Sequence, residues 1–288
     1  MDQTDRDRVF KGVSLRYSPD WLAYSYLYNR EDDKIIANRI NFSDCGSEGA
    51  PGVQAMLILA LAYDSGLAIW EGEVFRNEKW LDNDWRALLL KFSGMKPLPK
   101  PQSPAEAKLP LVRTFDNGNS FIRSSWECDD IVLGMSTAGP TKTNYSHQHP
   151  ERNSIALGAY GEYLIVGTGS ASYRSPVHRN WDLSVVSKNT IQIGDNNQLF
   201  TKTDKTRSPN AKVTLCKAGK SIDIVVGEAA RAYSPAMKHM TRCVAYARAK
   251  RYFVVIDFVE SAGTLHNYTW RLLFNNRDGK AKFHKENH

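Results

Sequence analysis

Cysteine and long hydrophobic runs are scarce in this chain of 288 residues, and no internal repeat or low-complexity tract is visible. The four cysteines are widely separated and contain no C-x-x-C pair, which excludes a disulfide framework, a zinc ribbon and a thioredoxin-like motif. We expect free, buried thiols. Residues 1–8 are charged and no apolar segment follows them, so no signal peptide is visible in the chain. The cysteines are Cys45, Cys128, Cys216 and Cys243.

The most apolar segment, Val53 to Trp70, is interrupted by Asp64 and Gly66. A membrane span needs about 20 consecutive apolar residues, and this segment is too broken to supply them. The segment is therefore predicted to form a buried helix, and no membrane partner is expected.

Positive charge exceeds negative charge, with 38 Lys and Arg against 31 Asp and Glu, a net charge of +7. Such a surplus favours acidic partners, which include nucleic acid, anionic polysaccharide and anionic membrane surfaces. A solvated surface with a modest cationic excess is the alternative. Because no nucleic-acid-binding motif accompanies the charge, a nucleic-acid partner is not expected.

The chain divides by composition into helical, proline-rich and strand-like parts, and its length allows about two domains. Residues 1–95 contain three predicted helices, at 19–40, 53–70 and 80–92. Residues 96–109 form a linker, because four prolines in residues 96–104 exclude a helix interior or a central strand. Residues 110–288 are predicted to form an antiparallel β-sandwich, since short β-branched and aromatic runs alternate with turn residues. The predicted fold class is α+β, an N-terminal α-helical segment followed by this sandwich. The predicted strands lie at 120–124, 131–135, 154–157, 163–166, 190–193, 212–215, 222–226, 241–247, 252–258 and 267–273.

Three of the seven histidines, His147, His149 and His178, lie in one polar and aromatic stretch, residues 144–181. On an extended strand His147 and His149 would project to the same face, as a metal ligand and its neighbour or as a base and a ligand. An earlier turn at Pro150 would make them diverge. The H-x-H pattern alone is a weak signal and is more typical of surface or structural histidines.

Several blocks of sequence resemble the heparinase II/III-like family of polysaccharide lyases over roughly residues 110–275. They are SHQH at 146–149, GEYLIVGTG at 161–169, YRSPVHRNW at 173–181, KNTI at 188–191, FIRSSW at 121–126 and HNYTWRLL at 266–273. The resemblance implies the end of an incomplete (α/α) toroid before the sandwich. It also implies that the chain is truncated relative to an architecture about twice as long, and that it shares the family's usual periplasmic or secreted location.

The resemblance implies β-elimination on uronic-acid polysaccharides, either heparin- and heparan-sulfate-like or alginate-like. This chemistry needs a base, an acid and positioned donors that neutralise the uronate carboxylate. By resemblance, His147 occupies the family's catalytic histidine position and Tyr173 lies in a loop that often carries an active-site aromatic. For Arg174 and Arg179 a solvated loop is the alternative. The predicted substrate-binding residues are Ser146, Arg174, His178, Arg179 and Lys188.

The family commonly binds a structural zinc, and the resemblance assigns its three ligand positions to His149, Gly167 and Lys188. Glycine has no side-chain ligand atom and a protonated lysine has no lone pair. Since a tetrahedral site needs about three protein ligands, neither zinc nor another cofactor is expected. The Lys188 ammonium is hypothesised to occupy this place and to supply the charge of the metal.

Two main functional hypotheses follow, with an anionic polysaccharide as the partner in both. The first is a polysaccharide lyase. The second is a catalytically incomplete, carbohydrate-binding remnant of one, because the family's principal catalytic tyrosine and another histidine come from a part of the toroid that would precede residue 1.

Overall fold

The structure is a computed structural model that describes residues 15–31, 34–44, 53–74, 97–137, 148–195, 197–198, 211–276, 278–280 and 282. Its helices are α1 (Ser18–Ser25), α2 (Val53–Tyr63) and α3 (Gly66–Val74). The strands that precede residue 160 are β1 (Tyr26–Glu31), β2 (Lys34–Arg39), β3 (Val112–Thr114), β4 (Asn119–Arg123), β5 (Ile131–Ser136) and β6 (Ser154–Ala159). The later strands are β7 (Glu162–Ile165), β8 (Ile191–Ile193), β9 (Lys212–Lys217), β10 (Ile222–Glu228), β11 (Met237–Ala247), β12 (Tyr252–Ser261) and β13 (Tyr268–Trp270).

Two antiparallel sheets form the main body of the described chain. One contains five strands in the order β3-β4-β5-β6-β7, and the other contains four in the order β12-β11-β10-β9. Apolar residues of both sheets, including Ile122, Leu133, Val225 and Val244, form one buried cluster. The predicted antiparallel sandwich is confirmed, and each predicted run overlaps a strand; β3 was not predicted. A separate pair, β8 and β13, joins residues 191–193 to residues 268–270.

The prediction of a helix over residues 19–40 is wrong beyond Ser25. Helix α1 ends there, and the following residues form an antiparallel hairpin in which Tyr26 pairs with Arg39 and Glu31 pairs with Lys34. The run Tyr26-Leu27-Tyr28 consists of large side chains that suit a pleated surface at least as well as a helix. All three side chains are buried, so packing decides the outcome.

The segment formed by α1, the hairpin and residues 40–42 covers the outer face of the five-stranded sheet. Leu27 and Phe42 share a buried cluster with Phe121, Val132 and Ala156, whereas the neighbours of these residues on β4 and β5 face the second sheet. Strand side chains alternate between faces, so β4 and β5 are buried on both sides. The N-terminal segment is thus packed on the sandwich.

A fully buried arginine fastens this N-terminal segment to the sheet. Arg123, on β4, donates hydrogen bonds from Nη1 to the backbone carbonyls of Ala23, Tyr24 and Tyr26, at 3.1, 3.0 and 2.8 Å. Its Nη2 pairs with Asp130, whose side chain is 1% exposed. These bonds satisfy carbonyls at the end of α1 that have no partner within the helix.

The predicted helix at 53–70 is interrupted, and α2 and α3 meet at Asp64 and Ser65. Asp64 adopts a positive φ of 54°, and the Ser65 hydroxyl accepts a hydrogen bond from the Ala68 amide, which caps α3. The proline-rich segment crosses the start of α3, where the Gln102 amide donates to the Gly66 carbonyl at 3.0 Å. A Cβ on Gly66 would lie 2.3 Å from the Lys100 carbonyl oxygen, so this crossing requires glycine.

Several predictions lie outside the described residues, namely the helix at 80–92, Cys45, Ser146 and His147. The three described cysteines are free thiols, as predicted. The expectation that the thiols are buried is wrong for all three, because Cys128 and Cys243 are half-buried and Cys216 is exposed on β9.

Candidate functional site

A polar cluster forms where three parts of the chain meet: the end of the N-terminal segment, the loop before β6, and the long connection between β7 and β8. Ser43 and Asp44 come from the first part, and His149 and Glu151 from the second. Glu151 is 4% exposed and joins two of these parts, because it accepts hydrogen bonds from the Ser43 amide at 3.0 Å and the Ser43 hydroxyl at 2.6 Å. Residues 105 or more positions apart in sequence therefore share one site.

His149 lies at the centre of the cluster and its side chain is fully buried. Its Nε2 is 2.6 Å from Asp44 Oδ1 and its Nδ1 is 2.9 Å from Lys188 Nζ. An ammonium group can only donate, so Nδ1 accepts from Lys188 and the ring proton sits on Nε2, where it donates to Asp44. Burial, and then the positive charge of Lys188, lower the pKa of His149, which keeps the ring neutral.

Lys188 follows a short 3-10 turn, Val185–Ser187, and its side chain points into the cluster. The residue is 3% exposed, and its ammonium also donates to Thr168 Oγ1 at 2.8 Å. Burial lowers the pKa of Lys188, while the carboxylates of Glu151, Asp182 and Asp44 act in the opposite direction. The cluster thus contains a buried lysine whose pKa three nearby carboxylates help to keep up.

Tyr173 and His178 form the outer edge of the cluster. The Tyr173 hydroxyl donates to Asp44 Oδ2 at 2.5 Å, while 54% of the residue is exposed. The two rings make an edge contact, with centroids 4.8 Å apart. Hydrogen bonding to Asp44 raises the pKa of Tyr173, because loss of the proton would place two negative oxygens side by side. Tyr173 therefore carries a protonated hydroxyl on a side chain that is about half exposed.

His178 begins a single π-helical turn, His178–Asp182, in the connection between β7 and β8. Its Nδ1 lies 3.2 Å from the Ser170 hydroxyl and 3.4 Å from Asp182 Oδ2, and its side chain is 11% exposed. Among the described residues, Asp44, His149 and His178 are the group that could hold a metal, with ligand atoms within 4.8 Å of one another. The proton on His149 Nε2 leaves that nitrogen without a free lone pair, so we interpret the group as a hydrogen-bonded chain.

The structure brings four of the predicted residues together and leaves two on the surface. Tyr173, His178, His149 and Lys188 all lie in the cluster. Arg174 and Arg179 are exposed. The substrate roles of these residues stay predictions.

Sequence reasoning missed Asp44, Ser43 and Thr168, all of which contact the cluster. Asp44 lies in the sequence NFSDCGSEGA, which contains no motif, and it reaches the site only because the N-terminal segment packs on the sheet. Thr168 stands within the GEYLIVGTG block, next to the predicted ligand position 167. The resemblance therefore pointed close to Thr168, whereas nothing pointed to Asp44.

A second set of buried groups holds the loops of the site in place. The Asn189 amide donates to the carbonyls of Ile155 and Val166, both at 2.8 Å, and its oxygen accepts from the Leu273 amide at 2.6 Å. Asn189 thereby joins three separate stretches of backbone beside Lys188.

Arg242 on β11 fastens the same loops to the second sheet. Its Nη1 donates to the carbonyls of Asn153 and Asn189 at 2.6 and 2.7 Å, and its Nε and Nη2 form a bidentate pair with Asp257. The Trp270 indole donates to the same carboxylate at 2.9 Å. The HNYTWRLL block thus contributes to the support of the site.

Comparison with known proteins agrees with this architecture. The family described as heparinase II/III-like, C-terminal, matches residues 108–288. The chain belongs to the heparinase II/III-like family. No curated protein matches it.

Two solved structures show the same fold as this family member. Heparan sulfate lyase HepC from Pedobacter heparinus is 17% identical, with a TM-score of 0.52 over 82% of this chain and 32% of that one. A structure described as heparinase III is 16% identical, with a TM-score of 0.52 over 86% of this chain and 34% of that one. The chain spans about a third of the length of either structure. None of the helices in the described part of the chain has the length and hydrophobicity to cross a bilayer.

Proposed function

We propose that the protein is a polysaccharide lyase that cleaves uronic-acid-containing anionic polysaccharides by β-elimination. Family membership supports this class of reaction. The observation that carries the proposal is the position of Tyr173. The residue is exposed, and its hydroxyl is held by Asp44 beside the His178 ring, at the edge of the cluster that contains the second histidine of H-x-H. The net charge of +7 is compatible with an anionic polymer.

In the proposed reaction the substrate loses one proton to a base and receives one proton from an acid. A base removes the proton at C5 of the uronate, the C5 electron pair forms a double bond to C4, and the C4–O glycosidic bond breaks. An acid then protonates the leaving oxygen. A raised pKa keeps the Tyr173 hydroxyl protonated, so Tyr173 suits the acid role. His147, two residues before His149, is proposed as the base on the strength of the resemblance.

The carboxylate of the uronate must be neutralised before its C5 proton becomes acidic enough to remove. We propose Arg174, His178 and Arg179 for this role, with Ser146 as a further donor. Arg174 and Arg179 are exposed and therefore accessible to a polymer. Lys188 is buried, so an effect on the substrate would come from its charge and not from direct contact.

The proposal extends to the substrate, the N-terminal segment and the location of the protein. A heparan-sulfate-like polymer is the first substrate candidate, since a solved structure of the same fold is a heparan sulfate lyase; alginate is the second. We also propose that the helical parts of residues 1–95, outside the hairpin of β1 and β2, are the end of an (α/α) toroid and that the protein is periplasmic or secreted.

The test is a panel of heparin, heparan sulfate, chondroitin sulfate and alginate, followed by ultraviolet absorbance. Elimination leaves an unsaturated uronate that absorbs, whereas binding alone produces no new chromophore. Tyr173→Phe and His147→Ala should each lower the rate by about 10²–10⁴-fold, as expected for loss of a proton-transfer group. Tyr252→Phe is the matched control, because Tyr252 is similarly exposed on β12, at 52%.

Two results would contradict the proposal. Full activity in both Tyr173→Phe and His147→Ala would show that neither residue has the proposed proton-transfer role. Saturable binding of one polymer with no absorbance change, at any pH tried, would favour the carbohydrate-binding alternative instead.

A further inference from the structure

The three positions that the resemblance assigns to zinc ligands lie close together, although two of them contain no suitable ligand. Lys188 Nζ is 2.9 Å from His149 Nδ1, and Thr168, next to Gly167, accepts from the same ammonium at 2.8 Å. A cation therefore already occupies the Nδ1 side of the imidazole, and that nitrogen's lone pair accepts its hydrogen bond.

Position 167 is closed by the N-terminal segment. A Cβ on Gly167 would lie 2.3 Å from the Asn41 carbonyl oxygen and 2.9 Å from Asn41 Oδ1. Backbone atoms cannot give way as the end of a flexible side chain can, so an aspartate at 167 would displace residue 41. The close approach of Asn41 therefore requires glycine at this position and excludes the side chain that would ligate a metal.

Lys188 is held in this place by hydrogen bonds. The residue is 3% exposed, and its ammonium donates to both His149 Nδ1 and Thr168 Oγ1. Removing the ammonium would leave His149 Nδ1 without its donor inside the protein. A metal could not simply take its place on the Nδ1 side, because His149 is the single residue with a ligand atom among the three assigned positions, where about three ligands are needed.

We propose that Lys188 is a built-in cation that replaces the metal, with Asn41 occupying the space of a lost ligand side chain. The ammonium joins the loop of His149 to the connection that carries Thr168 and Lys188 itself. The protein therefore holds these loops together without zinc. This conclusion is independent of the reaction that the protein catalyses, and its test needs no substrate.

The first experiment measures metal in the whole chain. The purified protein is incubated with zinc chloride, desalted and analysed by elemental mass spectrometry, and its melting temperature is measured with and without EDTA. We expect only traces of zinc and an unchanged melting temperature in EDTA. About one zinc ion per chain that is lost in His149→Ala would overturn the proposal, whereas zinc that persists in His149→Ala is bound elsewhere and agrees with it.

The second experiment removes the charge and keeps the length of the side chain. Lys188→Met should lower the melting temperature by about 3–10 °C, because buried hydrogen-bonding groups lose their partner. Lys250→Met is the control, since Lys250 is exposed in a 3-10 turn, and it should change the melting temperature by less than about 2 °C. Equal melting temperatures for the two variants would overturn the proposal. If Lys188→Met fails to fold, the loss agrees with the proposal and the metal analysis of the unchanged protein remains decisive.

Discussion

Replacement of Arg123 by methionine tests how firmly the N-terminal segment is attached to the sandwich. Arg123 is fully buried, donates to three carbonyls at the end of α1 and the start of β1, and pairs with Asp130. Methionine preserves much of the apolar stem and removes every one of these donors. The change therefore isolates the polar contribution of the side chain.

The expected loss can be worked from these contacts. Breaking a buried ion pair by removing one partner costs about 3–5 kcal/mol, because the remaining charge stays buried. Asp130 is 1% exposed and cannot reach water without local opening. Each carbonyl that loses a charged donor adds a smaller penalty, which water entering the space can reduce. We expect the free energy of unfolding to fall by about 4–6 kcal/mol, against a total of about 5–15 kcal/mol for an ordinary domain.

The assay is urea denaturation of four forms of the chain: unchanged, Arg123→Met, Asp130→Leu and the double variant. Replacing both charges removes the unpaired carboxylate, so the double variant should be more stable than Arg123→Met alone. The matched control is Arg251→Met. Arg251 and Asp129 form an exposed pair, 3.8 Å apart, whose loss should cost less than about 1 kcal/mol.

Two results would refute this reasoning. One is a loss in Arg123→Met no larger than that in Arg251→Met. The other is a double variant whose loss equals the sum of the two single losses, because additivity would mean that the two side chains do not interact.

Three further predictions follow from single contacts. Gly158→Ala should destabilise the fold by about 1–3 kcal/mol in urea denaturation, because its Cβ would lie 2.4 Å from both Leu27 methyl carbons. Asp44→Asn should lower the pKa of Tyr173 towards its ordinary value, measured by the ultraviolet difference titration against Tyr173→Phe. Burial raises the pKa of Asp130 from 3.8 to about 6, so the folded state binds the proton more tightly than the unfolded state and Asp130 stabilises most when protonated. The stability of the protein relative to Asp130→Asn should therefore fall as the pH rises from 3.8 to about 6 and then level off; no change over this range would contradict the assignment.

The sandwich was predictable from sequence because its strands alternate between a buried and an outward-facing side. β10, with every second residue buried, shows this period clearly. β4 and β5 are buried at every position, and here the β-branched and aromatic composition carried the prediction. Residues 26–39 were misassigned because their apolar residues fit the helical period and the strand period about equally. The choice between the two depends on packing against the five-stranded sheet, whose residues come much later in the chain.

The candidate site was only partly predictable for the same reason. The H-x-H pattern and the KNTI block located His149 and Lys188, but sequence spacing could not show that their side chains meet. Asp44 had no sequence signal at all, since its role depends on the packing of residues 18–42 against β4 and β5. Contacts between residues 105 positions apart are a property of the fold and cannot be read from local pattern.

The site therefore depends on the N-terminal segment for its geometry as well as for its stability. Asn41 closes position 167, Ser43 binds Glu151, and Asp44 accepts from both His149 and Tyr173. The orientation of the Tyr173 hydroxyl is thus set by a residue outside the sandwich. Because the same segment is fastened by Arg123, loss of that arginine should affect Tyr173 through the paired strands β1 and β2 and residues 40–44, even though Arg123 itself does not contact the site. A comparison of Arg123→Met and Arg251→Met at a temperature where both remain folded would show this as a lower Tyr173 pKa in the first variant alone.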